Sequence, residues 1–109
     1  MAPVFRVSRG HFPPAQFANV ERLIAAAAEP LIPAIQRFDG LIYYHVGLDR
    51  ETSTVVNVSV WRDLDAARQM DSLAEMRDQR AALVAAGVAF DPVANYEPTW
   101  TIGSLTRGP

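Results

Sequence analysis

Four side chains in this sequence have types suited to chemistry on a small organic molecule: Asn57, Trp61, Arg80 and His45. An amide can hold a carbonyl, a phenol or dioxygen through hydrogen bonds, and an indole can form one wall of a pocket for an aromatic compound. A guanidinium can bind an anionic or enolate-like group, and an imidazole is a base suited to neutral pH. We therefore take these four residues as the candidate catalytic set.

Asn57 and Trp61 lie in residues 54–61, which predict a central strand because they are β-branched nearly throughout. Side chains alternate between the two faces of a strand. One face is wholly apolar and the other carries polar groups: Val56, Val58 and Val60 against Val55, Asn57, Ser59 and Trp61. Polar groups on only one face indicate a cavity on that side. The structural alternatives are a bond from Asn57 to a loop backbone and simple core packing of Trp61.

Arg80 lies in the middle of an apolar helix stripe. Its neighbours on that face are Leu73, Met76, Leu83 and Val84. An unpaired buried charge is too costly, so the guanidinium must reach an acceptor or a wet cavity. It could bind an anionic substrate, pair internally with an acid such as Glu97, or leave its charge in solvent while its stem packs.

The residues expected to line the substrate pocket are Tyr43, Ser59, Met76 and His11. His45 shares a strand face with Tyr43, and alignment with the next strand would bring His45 near Asn57 or Ser59. His11 lies in the loop before the first helix, at the expected cavity mouth. Structural roles for both histidines, and packing of Tyr43 at a dimer surface, are the alternatives.

The elements that position these residues follow from the apolar spacing. Residues 4–8, 41–48, 54–61 and 95–102 predict strands, and residues 88–94 predict a loop. The repeat from Phe17 to Leu31 predicts a helix that kinks or breaks at Pro30 and Pro33. Asp63 is a predicted N-cap for a short helix, and residues 72–75 form a capping box that opens a helix running to about Ala86.

The order β-α-β-β-α-β predicts an α+β, ferredoxin-like fold with a four-stranded antiparallel sheet and helices on one face. The strand at 54–61 carries large apolar residues on both sides, with Val55 and Trp61 opposite the three valines, so the face of the sheet away from the helices also needs a cover. The simplest cover is a second copy of the chain, sheet against sheet, with two-fold symmetry. We therefore expect a homodimer.

Composition narrows the function classes. The 109 residues fit one domain, with a core at about 4–102 and a tail at 103–109. The net charge of −2 comes without a basic patch, so no nucleic-acid partner is expected. There is no cysteine, the histidines are far apart, and carboxylates do not cluster, so no metal site is expected, and no Gly-rich phosphate-binding loop is present. No signal peptide or membrane-length apolar run is visible, so we expect a cytoplasmic protein with no membrane partner.

The chain resembles the dimeric α+β barrel superfamily, and within it the antibiotic-biosynthesis-monooxygenase-type domains. The resemblance covers residues 4–102 and is carried by Asn57-Val58-Ser59-Val60-Trp61, an Asp-Leu-x-x-Ala helix, Ser72-Leu73, and Asn95-Tyr96-Glu97. It implies that Asn57 and Trp61, four residues apart on the third strand, serve a cofactor-free oxygenase, assisted by Arg80 or Arg77. Haem-degrading relatives need a histidine after the tryptophan, and none follows His45.

The expected function is a cofactor-independent monooxygenase that acts on an aromatic or polyketide-like compound in a pocket between sheet and helices. A non-enzymatic ligand-binding or structural dimer is the alternative, favoured by the small number of acid–base groups that would face the cavity. An isomerase or lyase is a third option, and it would require His45 or a carboxylate near the substrate.

Overall fold

The computed structural model describes residues 2–103. Its strands are β1 (Val4–His11), β2 (Leu41–Asp49), β3 (Thr54–Trp61), β4 (Ala89–Phe90) and β5 (Ala94–Tyr96). Its helices are α1 (Phe17–Gln36), α2 (Leu64–Arg68) and α3 (Ala74–Ala85), with short 3-10 turns at Pro14–Gln16 and Gln69–Ser72.

The strands form one antiparallel sheet in the order β2-β3-β1-β4, with β5 also pairing with β1. The predicted α+β, ferredoxin-like class is confirmed. Alternate residues of β1 and β3 are buried against the helices, and the core residues of α1, α2 and α3 pack on that side of the sheet. Val56, Val58 and Val60 lie on the other, open face and are only half-buried.

The last part of the sheet differs from the prediction. Instead of one strand over 95–102, the chain forms β4 inside the expected loop and then the short β5, so both boundaries were wrong. Proline has no N–H to give to a ladder, and Pro92 separates the two strands while Pro98 follows the second. Trp100, which was expected in the strand, is 78% exposed. The expected tail lies outside the described residues from position 104 onward.

Helix α1 is continuous through Pro30 and Pro33, so the alternative of a break was wrong. Both prolines are exposed, which leaves water to bond the backbone groups that proline cannot satisfy. Ala34 and Ile35 beyond them are buried, and this packing keeps the last turns of the helix on the core.

The ends of the shorter helices agree with the prediction in part. Asp63 is the N-cap of α2, and its Oδ1 accepts from the backbone N–H of Ala66 at 2.9 Å. This hydrogen bond lowers the pKa of Asp63. The capping box at Ser72 does not form, because Ser72 is part of a 3-10 turn and donates to Gln69 at 3.4 Å, so Leu73 is the N-cap of α3.

A β-bulge at the start of β2 decides which of its side chains face the helices. Leu41 pairs with Trp61, but Tyr43 pairs with Val60, so Ile42 is an extra residue in the ladder. An extra residue reverses the facing of every later side chain relative to the partner strand. Tyr44 consequently pairs with Ser59 on the helix side of the sheet.

Candidate functional site

A cavity of about 580 Å³ lies between the sheet and helices α1 and α3. Its walls are mainly aliphatic: Ile24, Ala25, Ala27, Ala28, Leu31, Ile32, Ile35, Val46, Val55, Met70, Met76, Leu83, Phe90 and Val93. Its polar lining residues are fewer: Arg6, Ser8, Tyr44, Asn57, Asp71, Arg77, Gln79 and Arg80. A largely apolar cavity of this size with a few polar groups is typical of a small-molecule site.

The sheet side of this cavity carries polar side chains in two neighbouring cross-strand rows. In one row Ser59 of β3 pairs with Tyr44 on one side and Arg6 on the other. In the next row Asn57 pairs with Val46 and Ser8. Side chains in adjacent rows on one face lie within reach of each other. The groups that the sheet presents to the cavity are the Arg6 guanidinium, the Tyr44 phenol, the Ser8 hydroxyl and the Asn57 amide, whereas Ser59 itself is fully buried.

Asn57 lies where the sequence predicted it, on the cavity side of the central strand. It is half-buried and lines the cavity. Its amide forms no hydrogen bond with residues 2–103, so the alternative of a bond to a loop backbone is wrong for the described residues. The amide is thus available to a ligand, as both donor and acceptor.

Trp61 and Ser59 do not line the cavity, so the expected pocket position is wrong for both, and Trp61 instead packs in the core, which was its structural alternative. Trp61 is fully buried, packs against Phe38 with ring centres 6.1 Å apart, and donates from Nε1 to Ser59 Oγ at 2.8 Å. Ser59 is also fully buried. Val4 belongs to the same buried core cluster as this indole, and Leu41 packs against that cluster.

His45 and Tyr43 lie on the open face of the sheet, so their predicted placement in the cavity is also wrong. His45 pairs with Val58 rather than with Asn57, because the bulge at Ile42 shifts the register by one residue. Their rings are stacked with centroids 6.2 Å apart. From that face His45 cannot reach a ligand bound on the helix side of the same chain.

His11 is the last residue of β1, not a loop residue at the cavity mouth, and it does not line the cavity. Its Nε2 lies 3.3 Å from Asp91 Oδ2, and both side chains are about half exposed, at 53% each. This contact joins the ends of β1 and β4 at the surface. His11 is therefore not at the cavity mouth, where the sequence predicted it.

Arg80 and Met76 do line the cavity, as predicted. The Arg80 guanidinium carbon lies 4.4 Å from the centre of the Phe90 ring, and the residue is exposed. In the described part of the chain it forms no ion pair, so the alternative pairing with Glu97 is wrong there. Arg77 also reaches the cavity.

Arg6, Asp71 and Tyr44 are site residues that sequence reasoning missed. Arg6 Nη2 donates to Asp71 Oδ1 at 2.7 Å, and only 11% of the Arg6 side chain is exposed. Burial raises the pKa of Tyr44 to about 12, although the nearby Arg6 charge opposes the shift. The signal was present in β1, where Val4, Arg6 and Ser8 alternate onto the same face as a buried strand requires.

Charge in the cavity is opposite in sign to that of the whole chain. The charged residues that line it are Arg6, Arg77, Arg80 and Asp71, three cations and one anion, whereas the chain has a formal net charge of −2. Such a cavity favours an anionic ligand.

The described residues carry neither a metal-binding cluster nor a membrane-spanning helix. In residues 2–103 there is no cluster of three or more His, Asp or Glu side chains that could hold a metal ion. None of the helices there has the length and apolar character needed to span a bilayer.

Comparison with known sequences gives relatives that are longer than this chain. No protein-family model matches. The uncharacterized protein Rv2558 of Mycobacterium tuberculosis H37Rv is 36% identical over 76 residues, which cover 69% of this chain and 32% of that protein. The uncharacterized protein MT2635 of strain CDC 1551 matches with the same identity and coverage. The chain therefore spans about a third of the length of the curated relatives it matches.

Solved structures share the fold over nearly the whole chain. A variant of SnoaB, a cofactor-independent oxygenase from Streptomyces nogalater, has a TM-score of 0.67 at 21% identity and covers 95% of this chain and 100% of its own. A proposed antibiotic biosynthesis monooxygenase from Deinococcus radiodurans has a TM-score of 0.71 at 19% identity, covering 93% and 97%. The resemblance to antibiotic-biosynthesis-monooxygenase-type domains is thus confirmed at the level of the fold.

Proposed function

We propose that this chain is a cofactor-independent monooxygenase that binds an aromatic or polyketide-like compound in the cavity between its sheet and helices. The observation that carries the proposal is the Asn57 amide, which lines an apolar cavity of about 580 Å³ without a hydrogen-bond partner in residues 2–103. The oxygenase SnoaB has the same fold, so this architecture can carry the reaction class, while the assignment to this chain depends on its site.

The proposed reaction needs no external reductant, because the substrate supplies all the electrons. A ring methylene activated by neighbouring carbonyl or phenol groups loses a proton, and the carbanion transfers one electron to dioxygen. The carbon radical and superoxide then combine into a peroxide with a new C–O bond. The peroxide takes up a proton, which balances the one that the methylene lost to water. The remaining C–H proton then leaves as the O–O bond breaks and hydroxide departs, so that CH2 and O2 give C=O and H2O, with four electrons passing from carbon to oxygen.

The cavity side chains suit separate parts of this reaction. The Asn57 amide positions the substrate carbonyl or dioxygen, and the arginines stabilise the substrate anion. Tyr44, with its pKa of about 12, remains a neutral phenol at physiological pH and donates a hydrogen bond rather than removing a proton. The cationic lining lowers the pKa of the substrate's methylene group, and the carbanion forms when this group loses its proton to water.

Oxygen uptake with a panel of phenolic and anthrone-type compounds tests the proposal. The wild type should consume one O2 for each ketone formed, and Asn57→Ala should lower the rate about a hundredfold, as expected when a preorganised hydrogen-bond donor is removed. Asn19→Ala is the matched control, because Asn19 lies on α1 outside the cavity lining and bonds Gln16 and Arg22 instead. An inactive wild type across the whole panel would refute the monooxygenase.

Homodimerisation through the open sheet face is part of the proposal. Phe5, Val7, Val56, Val58 and Val60 form a half-buried apolar surface there, with Tyr43 and His45 beside it. A sheet face of this kind is stable in water when a second sheet covers it. Native mass measurement should give twice the chain mass for the wild type and for Val84→Asp, on the exposed side of α3, but the monomer for Val58→Arg. A monomeric wild type would contradict this part.

A non-enzymatic ligand-binding dimer is the second candidate. Among the described residues the cavity lining contains no histidine, and its only carboxylate, Asp71, is bound to Arg6. The same observation disfavours an isomerase or lyase, which would need a base beside the ligand. A compound that binds tightly, returns unchanged, and loses affinity in Asn57→Ala would favour the binding module over the oxygenase.

A further inference from the structure

Arg6 is the only cavity cation that is both buried and incompletely bonded in the described residues. A guanidinium has five N–H donors, and the one hydrogen bond of Arg6 in residues 2–103 goes to Asp71. No fully buried side-chain nitrogen there lacks a partner. The remaining Arg6 donors therefore face open space, and the space that Arg6 lines is the cavity.

Asp71 pairs with Arg6, but a ligand anion could displace it easily. Its side chain is 59% exposed, whereas that of Arg6 is 11% exposed. An exposed carboxylate that leaves the pair regains its hydration, so an ion pair with one exposed member is held only weakly. The buried guanidinium cannot regain water to the same extent, and a second anion in the cavity can take its free donors.

Arg80 and Arg77 are less suited to this task. Both residues are exposed, and the Arg80 guanidinium already stacks on the Phe90 ring. Exposed charges are screened by salt and water, whereas a charge-assisted hydrogen bond in a sheltered site is strong and directional. These two arginines attract an anion to the cavity without fixing its position.

We propose that Arg6 is the residue that binds the anionic oxygen of the ligand, with Asp71 as its internal competitor. The cavity then selects compounds with a rigid apolar body and one anionic oxygen group, such as a phenolate, an enolate or a carboxylate. Arg6 is opposite Ser59, and Asn57 is two residues along that strand on the same face, a diagonal separation of roughly 7–8 Å. An anion on Arg6 thus places the adjoining ring beside the Asn57 amide.

This inference rests on the proposed ligand cavity but not on turnover, so a binding experiment tests it. The probes are anilinonaphthalene sulfonate, an apolar anion, and phenylnaphthylamine, which has the same rings without the charge. Fluorescence titration gives a Kd for each. The variants are Arg6→Met, Arg6→Lys and Asp71→Asn, and Arg22→Met is the charge-matched control because Arg22 is exposed on α1. Ala28→Trp fills the cavity from α1, where Ala28 lines it.

We expect Arg6→Met to weaken the sulfonate dye about tenfold to a hundredfold, the range of one charge-assisted hydrogen bond, and to leave the neutral dye unchanged. Arg6→Lys should retain part of the affinity because it retains the charge. Asp71→Asn should tighten the sulfonate dye several-fold, because the amide keeps the shape but not the charge of the competitor. Arg22→Met should alter neither dye, and Ala28→Trp should abolish both.

The outcomes separate this inference from the proposed function. If neither dye binds the wild type, the ligand cavity itself is refuted. If both bind and Arg6→Met affects them equally or not at all, Arg6 is not the anion-binding residue, although the cavity stands. If the sulfonate dye still binds to the Ala28→Trp variant, its site lies outside the cavity and the inference is overturned. Should Arg6→Met fail to fold, Asp71→Asn decides, since unchanged sulfonate affinity there contradicts competition by Asp71.

Discussion

Replacing Trp61 by phenylalanine should damage stability far more than a replacement in a ligand-pocket wall would. The indole is fully buried, and its Nε1–H has its partner in Ser59 Oγ at 2.8 Å. Phenylalanine removes roughly 50 Å² of buried ring, or about 1.3 kcal/mol at 25 cal/mol per Å². The buried Ser59 hydroxyl left without this donor adds about 1–3 kcal/mol.

The expected total for Trp61→Phe is therefore about 2–4 kcal/mol, which lowers the Tm by roughly 10–20 °C for a chain of this size. Ser59→Ala should lower the free energy of unfolding by about 1–3 kcal/mol, because it leaves the buried indole N–H without an acceptor. The double variant should cost about 1 kcal/mol less than the sum, since each substitution removes the partner that the other would leave unsatisfied.

Urea unfolding followed by far-ultraviolet circular dichroism measures these free energies, with all variants at one protein concentration because a dimer's stability depends on it. Two results would refute the placement of Trp61 in the core. One is a Trp61→Phe protein that unfolds at the wild-type midpoint. The other is strict additivity of the two substitutions, which would mean that the indole and the hydroxyl do not interact.

Two further substitutions, Tyr44→Phe and Gly40→Ala, test the burial of one cavity side chain and the turn before β2. Burial raises the pKa of Tyr44 from 10.0 to about 12, so the folded state favours its neutral phenol. The contribution of this group to the free energy of unfolding is therefore complete below pH 10 and is lost as the pH rises toward 12. Absorbance titration should show a late tyrosinate step that Tyr44→Phe removes and Tyr43→Phe retains; a step unchanged by Tyr44→Phe contradicts the burial. Gly40→Ala should lower the free energy of unfolding by more than about 1 kcal/mol, because φ is +85° and a Cβ would lie 2.8 Å from Ala66 Cβ. Gly47→Ala, whose Cβ meets nothing within 4 Å, should be nearly neutral in the same urea titration.

The alternation of residue types predicted the central strand and its two faces correctly. Val55 is buried and Asn57 lines the cavity, while Val56, Val58 and Val60 lie on the opposite, open face. Periodicity is a reliable signal here because a strand between a helical layer and a second surface must satisfy both of its faces at every residue. The same signal cannot fix the ends of strands, since Pro92 and Pro98 act on hydrogen bonding and not on hydrophobicity.

The sequence predicted the cavity face of β3 correctly, but it did not predict which β2 residues lie beside that face, because this depends on the register between the two strands. Without the extra residue at Ile42, His45 would pair with Asn57 and Tyr43 with Ser59, which is the site that the sequence predicted. With it, Tyr44 takes the cavity side and the histidine moves to the open face. A bulge is set by the local geometry of two paired strands, and no residue type marks Ile42 as its position.

The bulge also changes the chemistry that the cavity can support. An imidazole opposite Asn57 would have supplied a base near neutral pH, whereas the phenol of Tyr44 stays protonated there. In the proposed reaction, loss of the proton then depends on the acidity of the ligand, and Arg6, the residue proposed to bind the ligand's anionic oxygen, lies one row from Asn57. A cavity with a buried cation, a neutral phenol and a free amide, and with no base among its described lining, suits the binding of compounds that are already anionic or nearly so. For the proposed monooxygenase, the position of one residue in the β2 ladder thus favours a reaction that begins with an anionic substrate.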